Sequence, residues 1–304
     1  MKGDSVILAI GEILFDIFPE SKRLGGAPFN FAYHLKQLGF PVRFISRIGT
    51  DDNGREILNR LTGAGFDPGD IQLDDGHPTG TVQVQLDKKG IPEFDIISDV
   101  AYDYIDLSQE IYSTYLQSAE LVYFGTLMQR TDQAFKQLQH FLHRKPSGTV
   151  SFYDINLRRN CYSDRVVETS LHKTDILKLN TDELNECKRI ARIDHDEPSF
   201  IRYMMTQYSL DRVALTKGDQ GSELYTNEGS SHAAPELVDS MVDTVGAGDA
   251  YAALLAVGIL MKWSPKVTLA RATGFASRIC TIEGAIPDSA EFYEPIRKQM
   301  RDGE

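Results

Sequence analysis

Runs of apolar residues alternate along the chain with segments in which apolar positions recur every three or four residues. The runs are typical of strands buried on both faces of a parallel sheet, and the periodic segments are typical of helices that cover it. The runs predict strands at residues 6–10, 42–48, 121–124, 150–154, 176–179 and 213–216. The periodic segments predict helices at residues 30–38, 54–61, 131–142, 181–190, 249–261 and 265–282. Strands joined by helices predict right-handed βαβ units and an α/β fold with helices on both faces of a mostly parallel sheet.

One segment departs from this pattern. Residues 81–86 alternate between polar and apolar side chains, residues 87–90 (Asp-Lys-Lys-Gly) predict a turn, and residues 92–97 continue as a second strand. A hairpin with one polar face differs from the continuous apolar strands elsewhere. It predicts a small flap outside the main sheet, and the alternative is a surface hairpin without a role.

Composition narrows the class of protein. The 304 residues contain no internal repeat, low-complexity stretch or flexible linker, so we expect a single domain over residues 1–304. Lys and Arg number 32, Asp and Glu number 44, and the net charge is −12. This charge argues against a nucleic-acid partner and against docking on an anionic membrane surface.

Cysteine usage and apolar run lengths indicate a cytoplasmic protein. Cys161, Cys187 and Cys280 lie far apart in the sequence and show no metal-binding spacing, which is typical of a reduced compartment. The seven histidines also show no metal-binding spacing, and we expect them on the surface. The apolar run at residues 6–10 is too short for a secretion signal. The run at residues 250–261 falls short of the roughly 20 residues that cross a membrane, so we expect a buried helix there.

The segment at residues 243–249 reads Asp-Thr-Val-Gly-Ala-Gly-Asp and precedes an apolar helix. Gly246, Ala247 and Gly248 leave backbone N–H groups uncovered at a helix N-terminus, which predicts a phosphate cradle. Asp249 beside this cradle is suited to take a hydroxyl proton during phosphoryl transfer to an alcohol. The alternative is a carboxylate that only stabilises the first turn of the helix. The segment lacks the Lys of a Walker A loop, and Tyr251 occupies the third small position of a dinucleotide-binding motif.

Four spaced motifs together resemble the ribokinase-like (PfkB) carbohydrate kinases. Residues 243–249 resemble the C-terminal signature of the family, and residues 25–32 (Gly-Gly-Ala-Pro-Phe-Asn-Phe-Ala) resemble its glycine signature. Residues 180–183 (Asn-Thr-Asp-Glu) are similar to its Asn-x-x-Glu element, and residues 216–221 to its nucleotide-side loop. Residues 11–16 (Gly-Glu-Ile-Leu-Phe-Asp) and 154–158 (Asp-Ile-Asn-Leu-Arg) are most similar to fructokinases.

The resemblance implies a ribokinase-like three-layer αβα sandwich with a mostly parallel central sheet and a small β lid. The lid is expected from residues 17–25 and 78–98 and would exclude water from the sugar. Because the lids of two subunits often pair in relatives, we expect a homodimer formed through the lid.

The same resemblance assigns the sugar site. Asp16 is expected to bind sugar hydroxyls, the backbone at Gly25 and Gly26 to approach the sugar closely, and Asn30 to donate to a hydroxyl. Arg158 is expected to reach the sugar or the transferred phosphate. The structural alternatives are a turn former at Asp16, an ordinary tight turn at the glycines and a solvated side chain at Arg158.

The nucleotide and metal sites follow from the resemblance as well. The nucleotide is expected at Asn180, Thr216, Gly218 and Gly221, together with Gly246 and Gly248, while Lys217 is expected to face solvent. Glu183 is expected near the water molecules of Mg²⁺. A helix cap formed by Asn180 and Glu183 is the alternative, and both roles are compatible.

A monovalent-cation site for K⁺ is also implied, by Asp243, the carbonyl group of Val245 and the loop around Gly284. These observations predict an ATP-dependent kinase that phosphorylates a primary hydroxyl of a monosaccharide, most similar to a fructokinase, with Asp249 as the general base. Kinases for a ketogluconate, ribose or a nucleoside are alternatives, as is a catalytically silent sugar sensor. A nicotinamide-dependent oxidoreductase is disfavoured because the chain has no N-terminal Gly-x-Gly-x-x-Gly motif.

Overall fold

A nine-stranded sheet forms the middle layer of the structure, a computed structural model that describes residues 5–86, 92–236, 238 and 240–302. The strands of both sheets are β1 (Val6–Ile10), β2 (Leu14–Ile17), β3 (Lys22–Gly25), β4 (Val42–Gly49), β5 (Ile71–Asp74), β6 (Thr81–Leu86), β7 (Pro92–Ile96), β8 (Ala119–Gly125), β9 (Val150–Asp154), β10 (Ile176–Asn180), β11 (Arg212–Thr216), β12 (Ser222–Thr226) and β13 (Gly229–Ala233). The large sheet has the order β13-β12-β11-β10-β9-β8-β1-β4-β5. Its strands are parallel except β12 and β13, which extend one edge in antiparallel fashion.

Helices cover both faces of this sheet. They are α1 (Ala27–Gln37), α2 (Asp52–Gly63), α3 (Glu110–Ser118), α4 (Asp132–His143), α5 (Asp164–Leu171), α6 (Thr181–Ala191), α7 (Glu197–Tyr208), α8 (Ala247–Leu260), α9 (Pro265–Ile279) and α10 (Glu294–Asp302). One apolar core lies between the sheet and α1, α2, α8 and α9, and a second lies between the sheet and α3 to α7. The predicted three-layer architecture is confirmed.

A separate four-stranded sheet, the lid, has the order β3-β2-β6-β7. Strands β2 and β6 pair in parallel, while β3 and β7 pair antiparallel at the two edges. Val82 and Val84 are buried on one face, and Phe94 is 57% exposed. The predicted flap is therefore confirmed as a lid outside the main sheet, and the predicted turn at residues 87–90 lies outside the described residues.

The sequence pattern missed several short or polar elements. Strands β5, β12 and β13 and helices α3, α5, α7 and α10 were not predicted, and α9 ends at Ile279, three residues before the predicted end. Asp16, for which a turn former was the structural alternative, lies in lid strand β2. None of the helices in the described ranges has the length and apolar content that a membrane crossing requires.

The prediction of a surface position for every histidine is wrong for His34. Its ring is completely buried in the core beside α9, and its Nδ1 atom lies 2.9 Å from the hydroxyl of Tyr293. Burial lowers the pKa of His34 to about 3, so the ring is neutral and serves as a polar core residue.

Candidate active site

The carboxyl ends of the central parallel strands form one part of the candidate site. Glu12 follows β1, and Asp154, Asn180 and Thr216 are the last residues of β9, β10 and β11. The N-terminus of α8 is the other part of the site, with Asp249 in its first turn. Loops at the carboxyl ends of parallel strands converge on one edge of the sheet, which is where α/β proteins bind ligands.

The N-terminus of α8 has the geometry of an anion cradle. Gly246 is the N-cap residue, with φ of +77° and no side-chain cap. A Cβ atom at this position would lie 2.3 Å from the Cβ of Ala285, so both the backbone angle and the packing require glycine. An uncapped helix start leaves amide hydrogens and a partial positive charge for an anion.

Asp249 is held in place by helix α1. The amide nitrogen of Asn30 donates to Oδ2 of Asp249 at 2.7 Å. Burial and the neighbouring Asp154 carboxylate raise the pKa of Asp249, while Lys178 and Asn30 oppose the rise. A carboxylate with a raised pKa is a stronger base than an ordinary aspartate, which suits it to accept a hydroxyl proton.

A buried charge pair lies directly behind the cradle. Lys178 Nζ lies 3.0 Å and 3.2 Å from the two carboxylate oxygens of Asp154, and the Tyr123 hydroxyl donates to Oδ2 of Asp154 at 3.0 Å. A Cβ atom on Gly248 would lie 3.0 Å from Lys178 Nζ. The Lys178 ammonium therefore sits against the backbone of the cradle and adds positive charge to it.

Two buried acceptor atoms near Asp249 have no hydrogen-bond partner: Oε2 of Glu12 and Oδ1 of Asn30. Both side chains are only 4% exposed. Burial raises the pKa of Glu12 to about 7, with Arg158 opposing the rise and Asp249 adding to it. Because an unpaired buried acceptor is costly, these atoms indicate a ligand that carries hydroxyl donors.

The lid brings Asp16 and the two glycines to the same place. Oδ2 of Asp16 lies 3.0 Å from the position of a Cβ atom on Gly25. Gly26 has φ of +113°, and a Cβ atom there would lie 2.5 Å from the carbonyl oxygen of Glu12. Burial raises the pKa of Asp16 to about 6, and the positive charge of Arg158 opposes this rise. Arg158 is exposed and lowers the pKa of Glu12, Asp16 and Asp249 alike, so its charge is directed towards the predicted sugar site.

Asn180 and Glu183 form a complete capping box at the start of α6. Oε2 of Glu183 accepts from the Asn180 backbone N–H at 2.8 Å, Oδ1 of Asn180 accepts from the Glu183 N–H at 2.9 Å, and Oε1 of Glu183 accepts from the N–H of Leu157 at 2.9 Å. Each Glu183 oxygen keeps a lone pair, so the carboxylate fits beside the water shell of a Mg²⁺ ion held mainly by phosphates.

On the predicted nucleotide side, Thr216 is the neighbour of Asn180 in the register of β10 and β11. Gly218 and Gly221 have positive φ, and a Cβ atom on Gly221 would lie 2.1 Å from the carbonyl oxygen of Ala233. The prediction that Lys217 faces solvent is wrong. Its ammonium pairs with Glu197 at 2.5 Å and Glu223 at 2.7 Å, because β12 and α7 place both carboxylates beside it.

The predicted cation ligands lie around the Asp243 carboxylate. Its Oδ1 atom accepts from the N–H of Val245 at 3.0 Å, and its Oδ2 atom accepts from the N–H of Gly284 at 3.1 Å. The guanidinium group of Arg23, from lid strand β3, also reaches Oδ2 of Asp243 at 3.3 Å. In the part of the chain that the structure describes, no three His, Cys, Asp or Glu side chains are grouped as a metal site.

Sequence reasoning gave no site role to Glu12, Arg23, Asp154 or Lys178. The signal for Lys178 was a lysine between Leu177 and Leu179 in a strand predicted to be buried. A lysine inside an apolar strand needs a buried partner, and the aspartate that ends the neighbouring predicted strand was available.

The buried carboxyl group of Glu12 predicts a pH-dependent stability. Because its pKa rises from 4.5 to about 7 on folding, the folded state binds more protons than the unfolded chain between these values. The free energy of unfolding therefore falls as pH rises through this window. As the pH is raised from 5 to 8, we expect the free energy of unfolding of Glu12→Gln to increase by about 2 kcal/mol relative to that of wild type. Urea unfolding at the two pH values measures this difference.

A matched control for this substitution is Glu110→Gln, at an exposed position of α3. It should follow the pH dependence of wild type. If the Glu12→Gln and wild-type stabilities change in parallel between pH 5 and pH 8, the carboxyl group does not gain its proton on folding.

The chain matches the family model described as pfkB family carbohydrate kinase over residues 18–291. Fructokinase-1 of Zea mays is 26% identical, and the match covers 97% of this chain and 99% of the maize protein. A fructokinase with bound ATP from Xylella fastidiosa has the same fold, with a TM-score of 0.82, 19% identity and coverage of 96% and 98% of the two chains. A double-mutant fructokinase from Vibrio cholerae O395, in a fructose, ADP and potassium ion bound form, gives a TM-score of 0.76 at 21% identity and covers 95% and 97%.

Proposed function

Because the chain belongs to the pfkB family of carbohydrate kinases and is an ATP-dependent sugar kinase, we propose that it phosphorylates a primary hydroxyl of fructose with Asp249 as the general base. The observation that carries this proposal is Asp249, held by Asn30 in the first turn of an uncapped helix. The fructokinase names of relatives such as the maize protein support the choice of acceptor.

The proposed reaction is a single displacement at the γ-phosphorus of ATP. Asp249 accepts the proton of the acceptor hydroxyl while the hydroxyl oxygen forms a bond to the γ-phosphorus. The bond from that phosphorus to the β–γ bridging oxygen breaks, and ADP leaves with the electron pair. With Oδ2 engaged by Asn30, Oδ1 of Asp249 is left for the hydroxyl.

Two groups of this chain would stabilise the charge that develops on the transferred phosphoryl group. The backbone N–H groups at Gly246 and Gly248 would provide a preorganised cradle, whereas the Ala247 N–H, which was predicted to join them, donates to the carbonyl oxygen of Thr244 at 3.3 Å. The Lys178 ammonium behind Gly248 adds a full positive charge. Asn180 and Glu183 would hold the hydrated Mg²⁺, which neutralises the phosphates of the nucleotide when bound.

The sugar site would use the atoms that lack partners in the structure. Asn30 was predicted to donate to a hydroxyl. One N–H of its amide group donates to Asp249, its second N–H remains for that role, and its Oδ1 atom has no partner. We therefore expect Asn30 Oδ1 and Glu12 Oε2 to accept hydrogen bonds from hydroxyl groups, together with the Asp16 carboxylate.

The charge of this site favours a neutral polyol over a phosphorylated sugar. Glu12, Asp16 and Asp249 all lie near Arg158, which lowers the pKa of all three. A second phosphate group placed beside these three carboxyl groups would be repelled by those that are ionised.

An assay of ADP release tests the acceptor. The purified chain is supplied with ATP, Mg²⁺ and, in separate reactions, fructose, ribose, a ketogluconate and a nucleoside. We expect the highest kcat/KM with fructose. A higher kcat/KM with another acceptor would leave the kinase activity standing and assign it a different sugar. No ADP release with any sugar that binds would favour a sugar sensor.

Asp16→Asn should weaken sugar use without affecting the chemistry. Loss of the charged acceptor beside Gly25 is expected to lower kcat/KM for the sugar by about tenfold or more, mainly through KM, because a hydrogen bond to a charged group contributes roughly 1.5–3 kcal/mol. Steady-state kinetics with varied sugar measure this change.

Asp95→Asn, an exposed aspartate on lid strand β7, makes the same chemical change on the same sheet and should leave KM unaltered. An unchanged KM in Asp16→Asn would remove this residue from the sugar site.

The potassium ion in the Vibrio cholerae structure makes a monovalent cation relevant to this chain. The resemblance assigns such a cation to Asp243, Val245 and Gly284. The fit is poor, because the positively charged guanidinium group of Arg23 already lies on the Asp243 carboxylate.

A further inference from the structure

Arg23 joins the lid to the loop that precedes the phosphate cradle. Its Nη1 atom lies 3.3 Å from Oδ2 of Asp243, and its Nη2 atom pairs with the carboxylate of Glu283. The guanidinium plane also lies 4.7 Å from the centre of the Phe18 ring. Three contacts from two parts of the chain therefore fix one positive charge beside Asp243.

Asp243 organises the backbone around the cradle. Its two carboxylate oxygens accept from the N–H groups of Val245 and Gly284. Val245 precedes the N-cap residue Gly246, and Ala285 packs so closely on Gly246 that no side chain fits there. Asp243 therefore contacts both backbone segments that shape the cradle, and a change in its position would move them.

The chain itself supplies a cation to this carboxylate. We propose that Arg23 provides the positive charge at Asp243 that a monovalent metal ion would otherwise provide, so that phosphoryl transfer by this kinase does not depend on potassium. The inference rests on the proposed phosphoryl transfer at this cradle, whose own test is the Asp249 substitution.

Space around the guanidinium group allows the idea to be tested by substitution. Arg23, Glu283 and Gly284 line a cavity of about 540 Å³ between the lid, α1 and α2. The side chain of Arg23 is 35% exposed, so its removal would open a solvated path to Asp243. Because the pairs of Arg23 are partly solvated, its loss should cost little folding stability.

The experiment compares turnover in potassium chloride and in tetramethylammonium chloride at equal ionic strength. Wild type should show less than about a twofold difference between the two salts. Arg23→Gln should be slower in tetramethylammonium and regain about tenfold or more of its rate in potassium, which corresponds to roughly 1.4 kcal/mol of stabilisation at the cradle. Arg23→Lys should behave as wild type, because it keeps a positive charge.

Arg60→Gln is the matched control, since Arg60 lines the same cavity but pairs with Glu56. It should remain insensitive to potassium. Arg23 also lowers the pKa of Asp16, so Arg23→Gln can raise the KM for sugar in both salts, and only the response to potassium tests the inference.

Thermal unfolding gives a second measurement that needs no turnover. Potassium should raise the Tm of Arg23→Gln and leave the Tm of wild type unchanged. Strong activation of wild type by potassium, or an Arg23→Gln variant that ignores potassium in both measurements, would overturn the inference while the kinase assignment stands. If wild type showed no turnover in either salt, the result would instead count against the proposed reaction.

Discussion

Asp249→Asn is expected to lower kcat by about 10²–10⁴-fold, the usual contribution of a general base. Asparagine has nearly the same shape and can keep the contact to Asn30, but it cannot accept the hydroxyl proton. The cradle and the nucleotide side are untouched, so the Kd for ATP should change little. Single-turnover kinetics and calorimetric titration with ATP measure the two quantities separately.

Asp182→Asn provides the matched control, because it makes the same change at an exposed first-turn position of α6. It should retain the wild-type rate. Near wild-type turnover in purified Asp249→Asn would end the assignment of Asp249 as the base, whereas loss of ATP binding together with rate would indicate a damaged cradle.

Lys178→Met is expected to have the largest effect on stability. Removing the ammonium leaves the completely buried Asp154 carboxylate without its cation, which typically costs about 3–5 kcal/mol. The variant should also lose about 10²–10³-fold in kcat, because the positive charge behind Gly248 is missing. Urea unfolding and steady-state kinetics report the two effects.

The double variant Lys178→Met with Asp154→Asn separates the two roles of the pair. It removes the unpaired buried charge, so most of the lost stability should return while kcat stays low. Lys145→Met is the control, since Lys145 pairs with Asp175 at 3.0 Å, away from the cradle. Recovery of kcat together with stability would show that Lys178 acts only as a structural ion.

The parallel sheet was predictable because its strands are buried on both faces and therefore form uninterrupted apolar runs. Edge strand β13 reads Gly-Ser-Ser-His-Ala and carries no such signal, because an exposed edge strand needs little apolar surface. Helix α7 was missed for a related reason: Pro198 and polar residues interrupt its first turn, although proline is well tolerated there.

The residues of the candidate site also differ in how far the sequence could predict them. Gly246, Gly248 and Asp249 could be proposed from the sequence because a single local segment carries both the candidate cradle and the candidate base. The lysine in a buried strand signals that Lys178 needs a partner, but its pairing with Asp154 joins separate strands 24 residues apart, and the Arg23–Asp243 pair spans 220 residues. Contacts of this kind depend on strand order, which the spacing of residues along the chain does not encode.

The lid is assembled from two separate stretches of chain, with α1, β4, α2 and β5 between them. Strands β2 and β6 pair in parallel although this whole part of the chain separates them in sequence. Exchanging the lid with that of a relative would therefore require two coordinated grafts, and a graft of the β6–β7 hairpin alone would place a foreign strand against the native edge of β2. A chimera designed to accept a new sugar should carry both stretches, with the β2–β6 pairing kept intact.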